Sequence, residues 1–317
     1  MAKVLREKIK NRNGRCLVGP GVFDGISAHV ANSVGFDWIY LAGSGASGSF
    51  CGEPDLSVIT ATEMAQLGRM VVEVVDVPVI ADADTGFGGP LNIARTIAMY
   101  EAAGIAGCHI EDQTFPKRCG QLEGKDVVDI DTYTERIAAA VAARRNPDFV
   151  IIARTDARNA VQFGGPDAGE QAFEEGVKRL KAALDAGADM AFMESPRGKE
   201  EGARLVKALH PHPVMINVLP DGLTGNLTTD ECSELGFATV MYPCTGFVPA
   251  MLAMQRSYGM LKEKKTDLPA CEGKTIKNFF EQCGLKAAFA FDSQVVEHIK
   301  KDVPAQKYEN MTAHDLF

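Results

Sequence analysis

The sequence predicts an α/β fold, a (β/α)8 TIM barrel with extra C-terminal helices, and three observations carry that prediction. A helical pattern, a glycine and a short β-rich run ending in polar residues recur along the chain. Eight such runs can be counted, separated by helix-length segments. Right-handed crossover units in that number close into a barrel. No Gly-rich nucleotide fingerprint follows the first run, which weighs against a doubly wound open sheet.

In order, the candidate strands are Cys16–Val18, Trp38–Leu41, Val77–Ala81, Gly107–Ile110, Phe149–Ala153, Met190–Met193, Val214–Val218 and Thr239–Tyr242. Each is short and apolar, as a buried parallel strand must be. Gly35, Gly104, Gly187 and Gly236 precede four of them at positions suited to a left-handed helix C-cap. Between strands, Leu91–Ala103, Thr132–Arg145 and Glu170–Ala186 read as helices; the last carries a stripe of Phe173, Val177, Leu180 and Leu184. Met251–Lys262 and Thr275–Phe289 read as further helices. The expectation is one domain over 1–317, with the barrel at about 14–250 and a helical extension at about 251–317.

Composition narrows the partners. The net charge of −9 argues against nucleic acid or an anionic membrane and leaves a small anionic substrate open. The eight cysteines form no CxxC pair. The basic N-terminus lacks an apolar signal core, and no apolar run reaches the ~18 residues of a membrane span. A cytoplasmic protein with reduced thiols is expected.

Barrel enzymes carry their chemistry at the C-terminal strand ends. Here those ends are polar: Asp82-Ala83-Asp84, His109-Ile110-Glu111-Asp112, Arg154-Thr155-Asp156, Glu194 and Asn217. Asp82 and Asp84 are two apart on an expected strand and so face one side. With Glu111 they make three carboxylates for a hard dication, Mg²⁺ or Mn²⁺. Pairing of the same acids with Arg154 and Lys117 is the competing arrangement, and spacing leaves both open. The loop Phe115–Lys125 places Cys119 among Lys117, Arg118 and Lys125, cations expected to lower its thiol pKa. The glycines Gly43, Gly45 and Gly48 could hold a carboxylate through backbone N–H groups.

The runs Asp82–Gly89, His109–Gln113, Lys117–Gly120 and Ala153–Asp156, in that order, resemble the isocitrate lyase/phosphoenolpyruvate mutase superfamily. The likeness spans about Gly19 to Phe247 and is greatest to the 2-methylisocitrate lyase, dimethylmalate lyase and oxaloacetate hydrolase group. That resemblance implies a homotetramer, a dimer of dimers, with a C-terminal helix swapped between subunits. It implies Mg²⁺ near Asp82, Asp84 and Glu111, with Asp55 as a further site acid. Arg154 would hold the substrate carboxylate beside the Ala42, Gly43 and Ser44 backbone, while Glu194 and Asn217 line the pocket. Cys119, flanked by Gly120 and Gln121, would be the general acid, and Arg154 and Glu111 would complete the catalytic set.

The activity so implied is cleavage of a substituted malate-like 2-hydroxy di- or tricarboxylic acid to an oxo acid and a carboxylate. The alternatives are oxaloacetate hydrolysis to oxalate and acetate, and phosphonopyruvate-type mutase chemistry, which Cys119-Gly120 disfavours. A non-catalytic binding protein is opposed by the intact acid set. Three positions depart from the family pattern. Gln121 stands where the lyases usually have His, Ala42 where Ser or Thr is common, and Val248 near an Arg of the methylisocitrate lyases. The missing Arg weakens the case for a tricarboxylate.

Overall fold

The computed structural model describes residues 1–302; residues 303–317 of the expected extension lie outside the described residues. The strands are β1 (Leu17–Val22), β2 (Ile39–Leu41), β3 (Val79–Asp82), β4 (Gly107–Glu111), β5 (Val150–Thr155), β6 (Met190–Met193), β7 (Val214–Asn217) and β8 (Thr239–Tyr242). They pair in sequence order, all parallel, and β8 returns to β1 through Leu17↔Thr239 to Pro20↔Tyr242. β1 runs four residues past its expected end because Gly19 and Pro20 pair with Met241 and Tyr242. Tertiary pairing there overrides poor local propensity. β3 starts later than expected, after Pro78, which has no N–H to give a ladder.

Alternation with period 2 sorts each strand into two faces. One face packs on the surrounding helices: Ala81, Cys108, Ile110, Ile151, Ala153, Ala191 and Ile216 belong to that outer core. The other fills the barrel with Trp38, Tyr40, Ile80, Ile152, Phe192, Met215 and Met241. Ala2, Leu5 and Ile9 of the helix Ala2–Lys10 join this inner cluster. The helix Glu170–Asp185 buries Phe173, Leu180 and Leu184 as its stripe predicts. Gly35, Gly104, Gly187 and Gly236 all have positive φ, between 83° and 105°.

The described residues divide into two compact units, one of Met1–Met251 and one that begins at Leu252. The helix expected at Met251–Lys262 is longer, Phe247–Lys264. The single helix expected over Thr275–Phe289 is instead two, Ile276–Gln282 and Leu285–Asp302. Gly284, at φ 91°, breaks it, since a left-handed residue cannot continue a right-handed helix. Among the described residues no helix is long and apolar enough to cross a membrane.

Candidate active site

The parity that fills the barrel also aims its last side chains into one mouth. Asp82 follows Ile80, Glu111 follows His109, Arg154 follows Ile152, Glu194 follows Phe192 and Asn217 follows Met215, each two residues on. All five are buried, none more than 6% exposed. Asp84 reaches the mouth differently from the expectation. β3 ends at Asp82, and Asp84 lies beyond it with φ 46°, so no strand alternation aligns the two acids. They adjoin because the Asp84 N–H donates to Asp82 Oδ1 at 2.9 Å.

Charges in the mouth form two linked groups. Lys117 Nζ binds both Asp55 and Asp84, the latter at 3.0 Å. The Arg154 guanidinium meets Glu111 at 3.0 Å through Nη1 and Asp156 through Nε at 2.9 Å and Nη2 at 3.1 Å. Its Nη2 lies 3.6 Å from Glu194. The pairing alternative left open by the spacing is thus in part what the fold builds. Four expected metal acids do not close on one point: among the described residues no three His, Cys, Asp or Glu side chains converge as a complete cage. Asp55 departs most from that expectation. Its carboxylate clamps the loop lysine and its carbonyl accepts the Cys119 N–H at 3.0 Å.

Oxygen donors remain nonetheless. Asp84 Oδ2 and Glu111 Oε1 are buried without a hydrogen-bond partner, and Glu111 Oε2 has only its ion pair with Arg154. Burial and the neighbouring Asp82 and Asp55 push the Asp84 carboxyl up to about 7, against the pull of Lys117. Burial likewise raises Glu111 well above the carboxylate range, and Arg154 only partly offsets it. Two buried acids whose single ion pairs with Lys117 and Arg154 do not offset their burial, and which offer only hard oxygen donors, suit Mg²⁺ or Mn²⁺. Mg²⁺ is commonly held by one or two carboxylates with water and substrate completing its shell, which an incomplete protein cage permits.

The segment after β4 folds over this cluster. Its stem is fixed by Thr114 N–H to Asp126 C=O at 2.8 Å and Val128 N–H to Asp112 C=O at 2.9 Å. Gln113 brackets Arg118, donating to its carbonyl at 2.9 Å and accepting its N–H at 3.0 Å. Lys125 Nζ donates to the Gly120 carbonyl. Gly120 then sits directly on the polar cluster. A Cβ there would lie 2.6 Å from Glu194 Cδ and 2.7 Å from Arg154 Nη2. A cavity of about 600 Å³, lined by Lys8, Arg12, Arg15 and Asp37, lies at the opposite end of the barrel.

The thiol expectation is overturned. Burial, then the Asp55 charge, pushes Cys119 up to about 12. The loop's cations turn away: Lys117 to the acids, Arg118 to the Glu123 carbonyl and Lys125 to Gly120. Cys119 is therefore a thiol near neutral pH. Gln121 donates to Glu194 Oε1 at 2.6 Å and to Ser195 Oγ at 3.1 Å. Asn217 donates to both Glu194 oxygens, at 3.2 and 3.0 Å.

Ala42, at the end of β2, precedes the short helix Gly43–Ala46. Gly43 backs on the cluster closely: a Cβ would be 2.5 Å from Asp82 Oδ2. Ser44, next along, is half-buried. His109 is a core residue: its Nε2 lies 2.8 Å from the Tyr40 hydroxyl, and burial holds its pKa down at about 4. Sequence reasoning missed three participants. Tyr40 shares the inward parity of Ala42 and was findable. Ser195 follows a strand-end acid with φ 55°, a weaker signal. Lys125 was read only as a cation beside the thiol, whereas its partners are the Gly120 carbonyl and, at 3.6 Å, Asp156.

An acid-rich barrel mouth with one buried guanidinium and a thiol-bearing loop defines a small-carboxylate enzyme site. A family model described as phosphoenolpyruvate phosphomutase matches residues 6–262. The chain belongs to this phosphoenolpyruvate mutase/isocitrate lyase superfamily. It is 38% identical over 265 residues to a 2,3-dimethylmalate lyase of Eubacterium barkeri, covering 84% of this chain and 87% of that one. A solved oxaloacetate acetylhydrolase with 3,3-difluorooxalacetate superposes at TM-score 0.85 and 38% identity, covering 93% and 96%. A phosphonopyruvate hydrolase solved with oxalate and Mg²⁺ superposes at 0.80 and 27% identity, covering 93% and 99%.

Proposed function

We propose that the chain is a divalent-metal-dependent C–C lyase that cleaves a substituted malate-like 2-hydroxy acid to an oxo acid and a carboxylate. The observation that carries this reading is the seating of Gly120 on Arg154 and Glu194, which puts the neighbouring Cys119 at the edge of the cluster in which Arg154 meets Glu111. The dimethylmalate lyase relative supports the reaction, and the hydrolase solved with oxalate and Mg²⁺ supports the metal.

Arg154 would hold a substrate carboxylate through the in-plane Nη1 and Nη2 hydrogens that Glu111 and Asp156 leave over, with the Gly43 and Ser44 backbone beside it. Glu194 and Asn217 line the pocket. Asp82, Asp84 and Glu111, with Asp55 behind Lys117, supply the oxygen donors for the cation. A bound Mg²⁺ would supply fixed positive charge for an oxygen that gains electron density as the C–C bond opens. As a base at the site takes the hydroxyl proton, the C–O bond becomes a carbonyl and the C–C electron pair leaves with the carboxylate-bearing carbon. The Cys119 S–H donates its proton to that carbon; a thiol held near 12 stays protonated for the task. The closed loop keeps bulk water away from the carbanion.

Oxaloacetate hydrolysis is the second reading, supported by the likeness to the acetylhydrolase. A coupled assay of dimethylmalate, methylisocitrate, isocitrate, citramalate and oxaloacetate with Mg²⁺ separates them. Release of pyruvate or glyoxylate from a hydroxy acid is expected. Oxalate plus acetate as the dominant products would establish the hydrolase instead, and no turnover of any of the five would remove both.

A further inference from the structure

Behind Arg154 lies a second buried ion pair that the proposed chemistry does not use. Asp112, the residue after β4, is fully buried, and its carboxylate accepts three hydrogen bonds. Thr155 Oγ1 donates at 2.6 Å, the Asp156 N–H at 2.8 Å and Arg179 Nη1 at 3.2 Å. Two of those donors are the last residue of β5 and the one following it. Asp156 is in turn the acid that grips Arg154 along Nε and Nη2. Arg179, from the helix Glu170–Asp185, also donates to the Val128 carbonyl at 2.7 Å. Val128 closes the stem of the Cys119 loop by donating its own N–H to the Asp112 carbonyl.

We infer that Asp112 and Arg179 are positioning residues for Arg154: they fix Asp156, and so the plane of the guanidinium, and lock the foot of the Cys119 loop to the same point. The inference rests on the reading of Arg154 as the carboxylate anchor. A guanidinium binds a carboxylate well only when its fork is correctly oriented. The Thr155 and Asp156 carbonyls are held by the Glu194 and Asn159 N–H groups and Lys125 Nζ lies 3.6 Å from Asp156, but Asp112 is what receives the Thr155 hydroxyl and the Asp156 N–H, so its loss frees the side of Asp156 that sets its angle to Arg154. A buried ion pair that served stability alone would lower the melting temperature and leave ligand affinity untouched.

The test measures oxalate binding in Mg²⁺ buffer by calorimetry, with turnover alongside. Asp112→Asn keeps shape and removes the charge; Thr155→Val removes the 2.6 Å bond without leaving Arg179 unpaired. Each is expected to weaken oxalate about ten- to hundredfold, and to raise KM more than it lowers kcat. Thr155→Ser is expected to restore binding. Asp189→Asn is the control, because Asp189 pairs with Arg6 at 2.8 Å and Arg144 at 2.6 Å at the far end of the barrel. It is expected to lower the melting temperature and keep oxalate affinity.

Arg154→Ala separates the two levels of the argument. Unchanged oxalate binding in that variant removes Arg154 as anchor, and this inference with it. Loss of binding there, with wild-type affinity in Thr155→Val, overturns the positioning role alone. Equal weakening by Asp189→Asn also overturns it, and if Asp112→Asn fails to fold, the two Thr155 variants decide.

Discussion

Replacing Gly120 with alanine tests the seating of the Cys119 loop directly. The added Cβ would start 2.6 Å from Glu194 Cδ and 2.7 Å from Arg154 Nη2. Ordinary carbon contacts need about 3.5 Å, so something must move by roughly 1 Å. Glu194 cannot yield, being held by Gln121 at 2.6 Å, Ser195 at 2.9 Å and Asn217 at 3.0 Å. Nor can Arg154, fixed between Asp156 at 2.9 Å and Glu111 at 3.0 Å. The loop must lift, and Lys125 then loses its bond to the Gly120 carbonyl. A displacement of about 1 Å in a reacting group costs on the order of 10²-fold in rate. Gly120→Ala should therefore lose about a hundredfold in kcat/KM on the preferred substrate. Its melting temperature should fall little, since a surface loop can relax outward. Limited proteolysis should show faster cutting at Arg118, which is already exposed. Wild-type kcat/KM with unchanged protease resistance would refute the claim that the loop rests on Arg154 and Glu194.

Three other outcomes are expected. Cys119→Ser should cut kcat by about 10²–10⁴-fold with an unchanged melting temperature, and wild-type turnover would remove Cys119 from the mechanism. Added Mg²⁺ should raise the melting temperature more at about pH 8 than at about pH 5.5. The raised Asp84 and Glu111 carboxyls hold protons in the folded state that the unfolded chain has already released above the ordinary carboxylate range. Folding stability therefore falls as pH rises from the usual carboxylate range through about 7. A cation offsets that loss above the window and must displace protons within it; equal Mg²⁺ gains at both values would contradict this. Finally, Leu252, Tyr258, Phe279 and Phe291 of the C-terminal unit are each 49–70% exposed. Such an apolar surface supports the homotetramer proposed from the family likeness, and light scattering that returns a single chain's mass would reject it.

Much of this was legible in the chain because the barrel is built on two simple periods. Strand ends could be read from apolar runs meeting Asp82, Glu111, Arg154, Glu194 and Asn217, and each of these does point into the mouth. Asp84 was misread because a two-residue spacing says nothing about where the strand stops, and the chain turns left-handed there. Cys119 was misread because basic neighbours in sequence are not neighbours in charge; Lys117 spends itself on Asp55 and Asp84. The break at Gly284 was missed because Ala287, Ala288 and Phe289 continue an acceptable helical pattern on its far side. Lys125 and Arg179 act through backbone carbonyls and long-range acids, which no local pattern encodes.

The helix Ala2–Lys10 stoppers the barrel by adding Ala2, Leu5 and Ile9 to its interior cluster. Within the unit Met1–Met251 that helix covers one end of the barrel interior, and the polar cluster lies at the other. Under the proposed reaction, substrate and both fragments would pass at the end of the barrel that the Cys119 segment covers. If the proposed lyase chemistry takes place there, that segment would have to swing away and return at each turnover, and the traffic of products, rather than bond breaking, would then set the ceiling on speed.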